Sequence, residues 1–127
     1  MSKKAVENKI MVFGTFDGLH LGHVNFFKQA RSLAKNPYLI VSIARDKNVF
    51  KIKNHHPKHK ERARMAIVRK SKLVNKVVLS GIKNYLPHIL KERPDIIALG
   101  YDQKAYTKNL KKELGDKGMQ VKIVRLK

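Results

Sequence analysis

Short apolar runs alternate along the chain with longer amphipathic stretches. KIMVFG (9–14), YLIVSIA (38–44), KVVLS (76–80), DIIALG (95–100) and QVKIVR (120–125) have the length and β-branched content of strands. The first, second and fourth runs are almost continuously apolar, as expected where helices cover both faces of a parallel sheet, whereas the fifth alternates and suits an edge. Between the first two runs, Leu21, Val24, Phe27 and Ala30 recur at helical spacing, and the KNP at 35–37 closes that helix. Residues 58–73, NYLPHILKER (84–93) and TKNLKKELGDKG (107–118) supply three more helices. Pro87 suits a first helical turn, and Gly115 and Gly118 mark the turn into strand five.

The order β-α-β-α-β-α-β-α-β, joined by right-handed crossovers, predicts an α/β fold: an open, doubly wound, five-stranded parallel sheet filling 1–127 as one domain. Ligands of such sheets bind beyond the carboxyl ends of the strands, where strand order reverses. The one long stretch without clear periodicity, DKNVFKIKNHHPKH (46–59), is expected to be an irregular loop with a functional role.

Composition narrows the setting. At 127 residues the chain is large enough to bury a core without staples, and its lack of cysteine excludes disulfides and thiolate metal sites. Its start, MSKKAVENKIMVF, has no sustained apolar h-region and no segment reaches bilayer length, so a soluble, cytoplasmic protein without membrane insertion is expected. A balance of 29 Lys+Arg against 9 Asp+Glu gives +20, a surface that attracts polyanions, non-specific nucleic acid among them, or that serves solubility alone.

The richest chemistry lies in FGTFDGLHLGH (13–23), at the junction of strand one and helix one. Gly14 and Gly18 stand where backbone must bend sharply or approach a ligand closely. His20 and His23, three apart, share a helix face at a helix N-terminus, where both can donate to one phosphate chain. Gly22 between them leaves room for a nucleotide. A solvated or core-satisfied histidine pair is the bland alternative, and two histidines with one aspartate are too few ligands for zinc. HHPKH (55–59) reads as a solvated loop that could also hold a metal or phosphate. There is no nucleophile-base pair, no Walker A sequence and no G-x-G-x-x-G. Attack by an already anionic phosphate on a nucleoside triphosphate requires none of these, only positioning and charge stabilisation.

GTFDGLHLGH (14–23) resembles the GTFD-x-x-H-x-G-H signature of the cytidylyltransferase-like nucleotidyltransferases, a Rossmann-like superfamily. IARDKNVFKIK, ERARM and PDIIALGYDQ are similar in order and spacing to blocks of the archaeal-type FAD synthases, and more loosely to glycerol-3-phosphate cytidylyltransferases. The resemblance implies that His20 and His23 stabilise charge on the α and β phosphates, and that Lys51 and Lys53 reach the phosphates from the loop. It implies nucleotide contacts at Gly14, Thr15, Phe16, Gly22, His23, Gly100, Asp102 and Arg125, and an acceptor side at Asp17 and Arg62, with Asp17 near magnesium. A homodimer is also implied.

The family pattern continues past strand five into a Ser/Thr-rich I-S-S/T-T-x-x-R segment that these 127 residues do not contain. Truncation, replacement by another element, or weakened triphosphate binding are the expectations, with the positive charge compensating in part. The leading expectation is an FMN adenylyltransferase that uses ATP and Mg2+ and releases pyrophosphate. Its rival is a CTP-dependent glycerol-3-phosphate cytidylyltransferase. A third reading is a basic nucleic-acid-binding module on a catalytically decayed fold.

Overall fold

Neighbouring residues of the first strand point to opposite sides of the sheet, and both sides are apolar. Ile10 and Val12 enter one buried cluster with Phe27, Ala30, Met65 and Val68. Met11 and Phe13 enter the other with Leu86, Ile89, Leu110 and Leu114. A strand that is apolar on both faces needs helices on both faces, which is why the chain winds in two layers around one sheet.

The computed structural model describes residues 7–81, 86–100, 103 and 109–126, with the side chains of 51–53 outside that description. The elements run β1 (Asn8–Gly14), α1 (Leu21–Arg31), β2 (Pro37–Ile43), α2 (Asp46–Lys53), α3 (Glu61–Arg69), β3 (Lys76–Leu79), α4 (Leu86–Glu92), β4 (Ile96–Leu99), α5 (Leu110–Asp116) and β5 (Lys122–Arg125). The five strands are all parallel, in the order β3-β2-β1-β4-β5. All five expected strands are present, and β5 is an edge as its alternation predicts. Strand order reverses between β1 and β4, so a ligand crevice is expected at Gly14 and Gly100, just past their carboxyl ends. Among the described residues no helix is long and apolar enough to cross a membrane.

Two expectations are corrected. The expected irregular loop at 46–59 contains the eight-residue helix α2, closed by Asn54 in the left-handed region at φ 56°, whose N–H donates to the Phe50 carbonyl at 2.8 Å. Of its described apolar side chains only Val49 is buried, too narrow a stripe to give a periodic signal. The helix expected over 58–73 is shorter, Glu61–Arg69. Its amino end falls at Lys60, which is extended at φ −67° and ψ 158° and whose carbonyl accepts the first helical N–H, that of Arg64, at 2.9 Å.

Candidate active site

The turn after β1 is built around an aromatic ring. Phe16 takes a positive φ of 51° yet is buried, and its ring packs on Phe27 at 5.4 Å and edge-on to His23 at 5.1 Å between centroids. A Cβ on Gly14 would lie 2.6 Å from that ring, so a glycine is required for Phe16 to fold back over the strand end. The signature phenylalanine thus shapes the turn with its side chain and leaves its backbone to face a ligand.

His20 and His23 form the amino cap of α1. Gly22 N–H donates to His20 Nδ1 at 3.0 Å, and His20 N–H donates to His23 Nδ1 at 3.3 Å, a reciprocal capping box made by two imidazoles. The rings stack, 3.8 Å apart and 25° from parallel. Each Nδ1 must keep its lone pair to accept these bonds, which assigns the proton of each neutral ring to Nε2. The helix end therefore holds two Nε2–H donors side by side. Burial, and then the neighbouring His20, keep the His23 imidazole below the usual histidine range, so it is neutral at pH 7. A Cβ on Gly22 would lie 2.8 Å from His20 Cε1 and 3.0 Å from Nδ1. A side chain at this position would displace the His20 ring, and Gly22 itself lines the cleft.

On the β2 side, the Asp17 carboxylate accepts from Lys58 N–H, from His59 N–H at 2.8 Å and from the His59 ring at 2.9 Å. Burial pushes this carboxyl up, but the Lys58 and His59 donors outweigh it and hold the group below its usual range. Behind it, Arg64 is wholly buried. It donates to the Thr15 carbonyl at 2.8 Å, to the His59 carbonyl at 3.0 Å and to Asp46 at 2.6 Å. Asp46 accepts the Glu61 N–H, and Glu61 in turn accepts from Asp46 N–H and from Arg45. One hydrogen-bonded network thus ties the signature turn to both ends of the segment that carries α2.

The β4 side is closed by Gln103. Its amide donates to the Phe13 carbonyl at 2.7 Å and accepts from Gly100 N–H at 2.8 Å, bridging β1 and β4 where strand order reverses. Arg125 donates to the carbonyls of Gly100 (2.8 Å) and Gln103 (2.7 Å), so it holds this loop.

These parts enclose an open cleft of about 670 Å³. Of the predicted site residues, Gly14, Thr15, Phe16, Asp17, His20, Gly22, His23 and Gly100 line it. Arg62 is exposed on α3 and, like Arg125, is not among the lining residues. Lys51 and Lys53 fall in the last turn of α2 with their side chains outside the described set, and Asp102 lies outside the described residues. Sequence reasoning missed Asn25, Phe26 and Gln29, which line the cleft along α1. Their three- and four-residue spacing from Gly22 was the available signal. It named His59 only within HHPKH, and it missed Arg64 and Gln103, whose partners Thr15 and Phe13 are remote in sequence.

Asp17 has donors on both carboxylate oxygens, so binding a metal would require it to give up part of its hold on residues 58–59. Among the described residues, no three His, Asp or Glu side chains converge on a metal position. This donor set fits a cation that arrives on phosphate oxygens with its own waters, as Mg2+ does, better than a resident cage.

A parallel sheet with a nucleotide-sized cleft at its switch point and a capped histidine pair at a helix amino end defines the nucleotide-binding α/β class. Within that class, the cytidylyltransferase-like family profile matches residues 11–126, and the chain belongs to this family. It is 46% identical over 119 residues to the FAD synthase of Korarchaeum cryptofilum, spanning 93% of this chain and 80% of that protein. It is 43% identical over 120 residues to the FAD synthase of Methanosarcina mazei, spanning 93% and 76%. The crystal structure of the lipopolysaccharide core biosynthesis protein from Thermoplasma volcanium GSS1 superposes with a TM-score of 0.85 at 33% identity, over 94% of this chain and 96% of that one.

Proposed function

We propose that this protein is an FMN adenylyltransferase, joining ATP and FMN to give FAD and pyrophosphate. Relatives named FAD synthase, more than 40% identical over most of the chain, support the activity. The structural observation that carries the chemistry is the histidine pair, whose Nδ1 atoms are occupied by backbone donors and whose Nε2–H groups remain for an anion.

A phosphate oxygen of FMN attacks the α-phosphorus of ATP, a new P–O bond forms, and the bond from the α-phosphorus to the α–β bridging oxygen breaks, releasing pyrophosphate. The attacker is anionic at neutral pH, so no protein base is needed. The rate comes from alignment and from stabilising charge on the α and β phosphates. His20 and His23 donate to those oxygens at the positive end of α1, and the family resemblance assigns Lys51 and Lys53, in the last turn of α2, to the same phosphates. Mg2+ bound to the triphosphate would add charge neutralisation. Asp17 and Arg64 position residues 58–59 and the Thr15 backbone, and Gly100 with Gln103 forms the nucleotide wall.

Pyrophosphate release is measured with ATP plus FMN and with CTP plus glycerol 3-phosphate, and the flavin product is identified by chromatography. FAD formed from ATP is the expected result. Product from CTP alone overturns the choice of substrates. No transfer with either pair, together with RNA binding that survives His20→Ala and His23→Ala, replaces the enzyme with a nucleic-acid-binding module. The homodimer implied by the resemblance is read in the same preparation by sedimentation.

A further inference from the structure

FMN carries a broad, flat isoalloxazine ring, and an enzyme that takes it gains affinity from an aromatic surface within reach of the phosphate site. Among the described residues, two large apolar side chains are notably exposed, Leu21 and Phe50. Only Phe50 is aromatic. Its ring stacks on the imidazole of His56, 4.6 Å between centroids and 26° from parallel, and both residues are exposed.

The pair is built by the chain rather than left by chance at the surface. Asn54, left-handed and bonded to the Phe50 carbonyl, reverses the chain so that His56 returns over the helix it has just left. The His55 ring nitrogen bonds the His56 carbonyl at 3.0 Å, which holds the returning backbone. Three residues further on, His59 is bonded to Asp17 at the cleft. An extended chain spans about 3.3–3.6 Å per residue, so the three steps from His56 to His59 cover at most about 11 Å of backbone. A ceiling of that length leaves the stacked pair within reach of the arm that joins the flavin ring to its phosphate.

The side of the cleft is also the right one. Gly100, Gln103 and Leu126 bound it beyond β4 and β5, whereas the connection between α2 and α3 follows β2, on the far side of β1. In-line displacement at the α-phosphorus needs the attacking and leaving oxygens on opposite faces, which asks for separate places for acceptor and nucleotide.

We propose that the Phe50–His56 pair is the platform on which the isoalloxazine ring of the acceptor stacks while its phosphate reaches His20 and His23. The assignment deepens the FMN reading and rests on it. HHPKH, expected to be a solvated loop, then supplies half of an acceptor subsite. Stacking of a flat heterocycle on an aromatic side chain changes binding on the order of tenfold.

The test is titration of FMN fluorescence with the intact protein and with Phe50→Ala, Phe50→Tyr and His56→Ala, alongside KM for FMN and for ATP. Phe50→Ala is expected to weaken FMN binding about tenfold, with KM for ATP and the melting temperature unchanged; Phe50→Tyr keeps wild-type affinity. Equal FMN affinity in wild type and Phe50→Ala overturns the platform, as does an equal rise in both KM values or an absence of FMN binding by the wild type. A wild type that binds FMN through Phe50 but releases no pyrophosphate with ATP supports the platform and rejects the adenylyltransferase reading, so the two fail separately.

Discussion

Arg64 Nη1 lies 2.8 Å from the carbonyl oxygen of Thr15, 49 positions away in sequence, and the guanidinium that makes this bond is wholly buried. A buried cation is tolerable only when its donors are matched, and Thr15, His59 and Asp46 match them here. Arg64→Ala leaves Asp46 and two carbonyls without this donor. It is expected to cost about 1–3 kcal/mol in urea unfolding for each buried carbonyl left unpaired, while Asp46, about one third exposed, keeps its Glu61 donor. Nucleotidyl transfer measured well below the melting temperature falls as well, since the signature turn loses its backing.

Gly22→Ala separates the site from the fold. Alanine suits a helix better than glycine by roughly 1 kcal/mol, but its Cβ would strike the His20 ring at 2.8 Å. The melting temperature should stay near that of the wild type while kcat drops by an order of magnitude or more. A variant with full kcat would show that the stacked geometry of the two imidazoles does not matter to the reaction.

His23 gives a pH dependence with a definite sign. Its folded-state pKa is depressed by burial and then by His20, so between the ordinary histidine value and the folded value the unfolded chain binds more protons. The stability it contributes is present above the ordinary value and is lost as pH falls through the folded one. Protonation at Nδ1 would also end acceptance from His20 N–H. His23→Gln can still accept at this cap position, so its melting temperature should fall less than that of the wild type from pH 7 to pH 5. Loss of the ring donor should reduce kcat by about 10²–10³-fold.

Asp17 acts at lower pH. Burial raises its carboxyl, and the stronger sum of Lys58 and His59 donors lowers it, so its stabilising effect is present above the ordinary carboxylate range and is lost as pH falls through the folded value. Denaturant titrations below pH 5 should show Asp17→Asn losing less stability on acidification than the wild type. Proteolysis at neutral pH should cut the variant faster near residues 58–59, where the latch has gone.

Gln103→Ala removes the bridge between the Phe13 carbonyl and Gly100 N–H. The expected cost is about 1–3 kcal/mol for the loss of both hydrogen bonds. KM for ATP should rise more than kcat falls, because Gln103 lies on the wall assigned to the nucleotide and away from the histidines. An unchanged KM for ATP would move the nucleotide elsewhere.

The sequence by itself determined the sheet and the position of the cleft. Continuous apolar runs in β1, β2 and β4 demand cover on both faces, and a glycine-rich junction with two histidines three apart can only fall between strand and helix. Both signals are local, written in spacing along a few residues. Tertiary structure decided what surrounds that motif. Arg64 looked like one more cation in a basic helix, and Gln103 like a turn residue, because their partners lie 49 and 90 positions away. Helix α2 was read as loop because it buries one described apolar side chain, Val49, and is anchored through Asp46 to Arg64 and Glu61. The amino end of α3 was misplaced because Lys60 is extended, while residues 58–59 before it are held to Asp17, far upstream. Hydrophobic periodicity records what a segment buries. Hydrogen-bond partners brought together by folding leave no such period, and they set the geometry of this site.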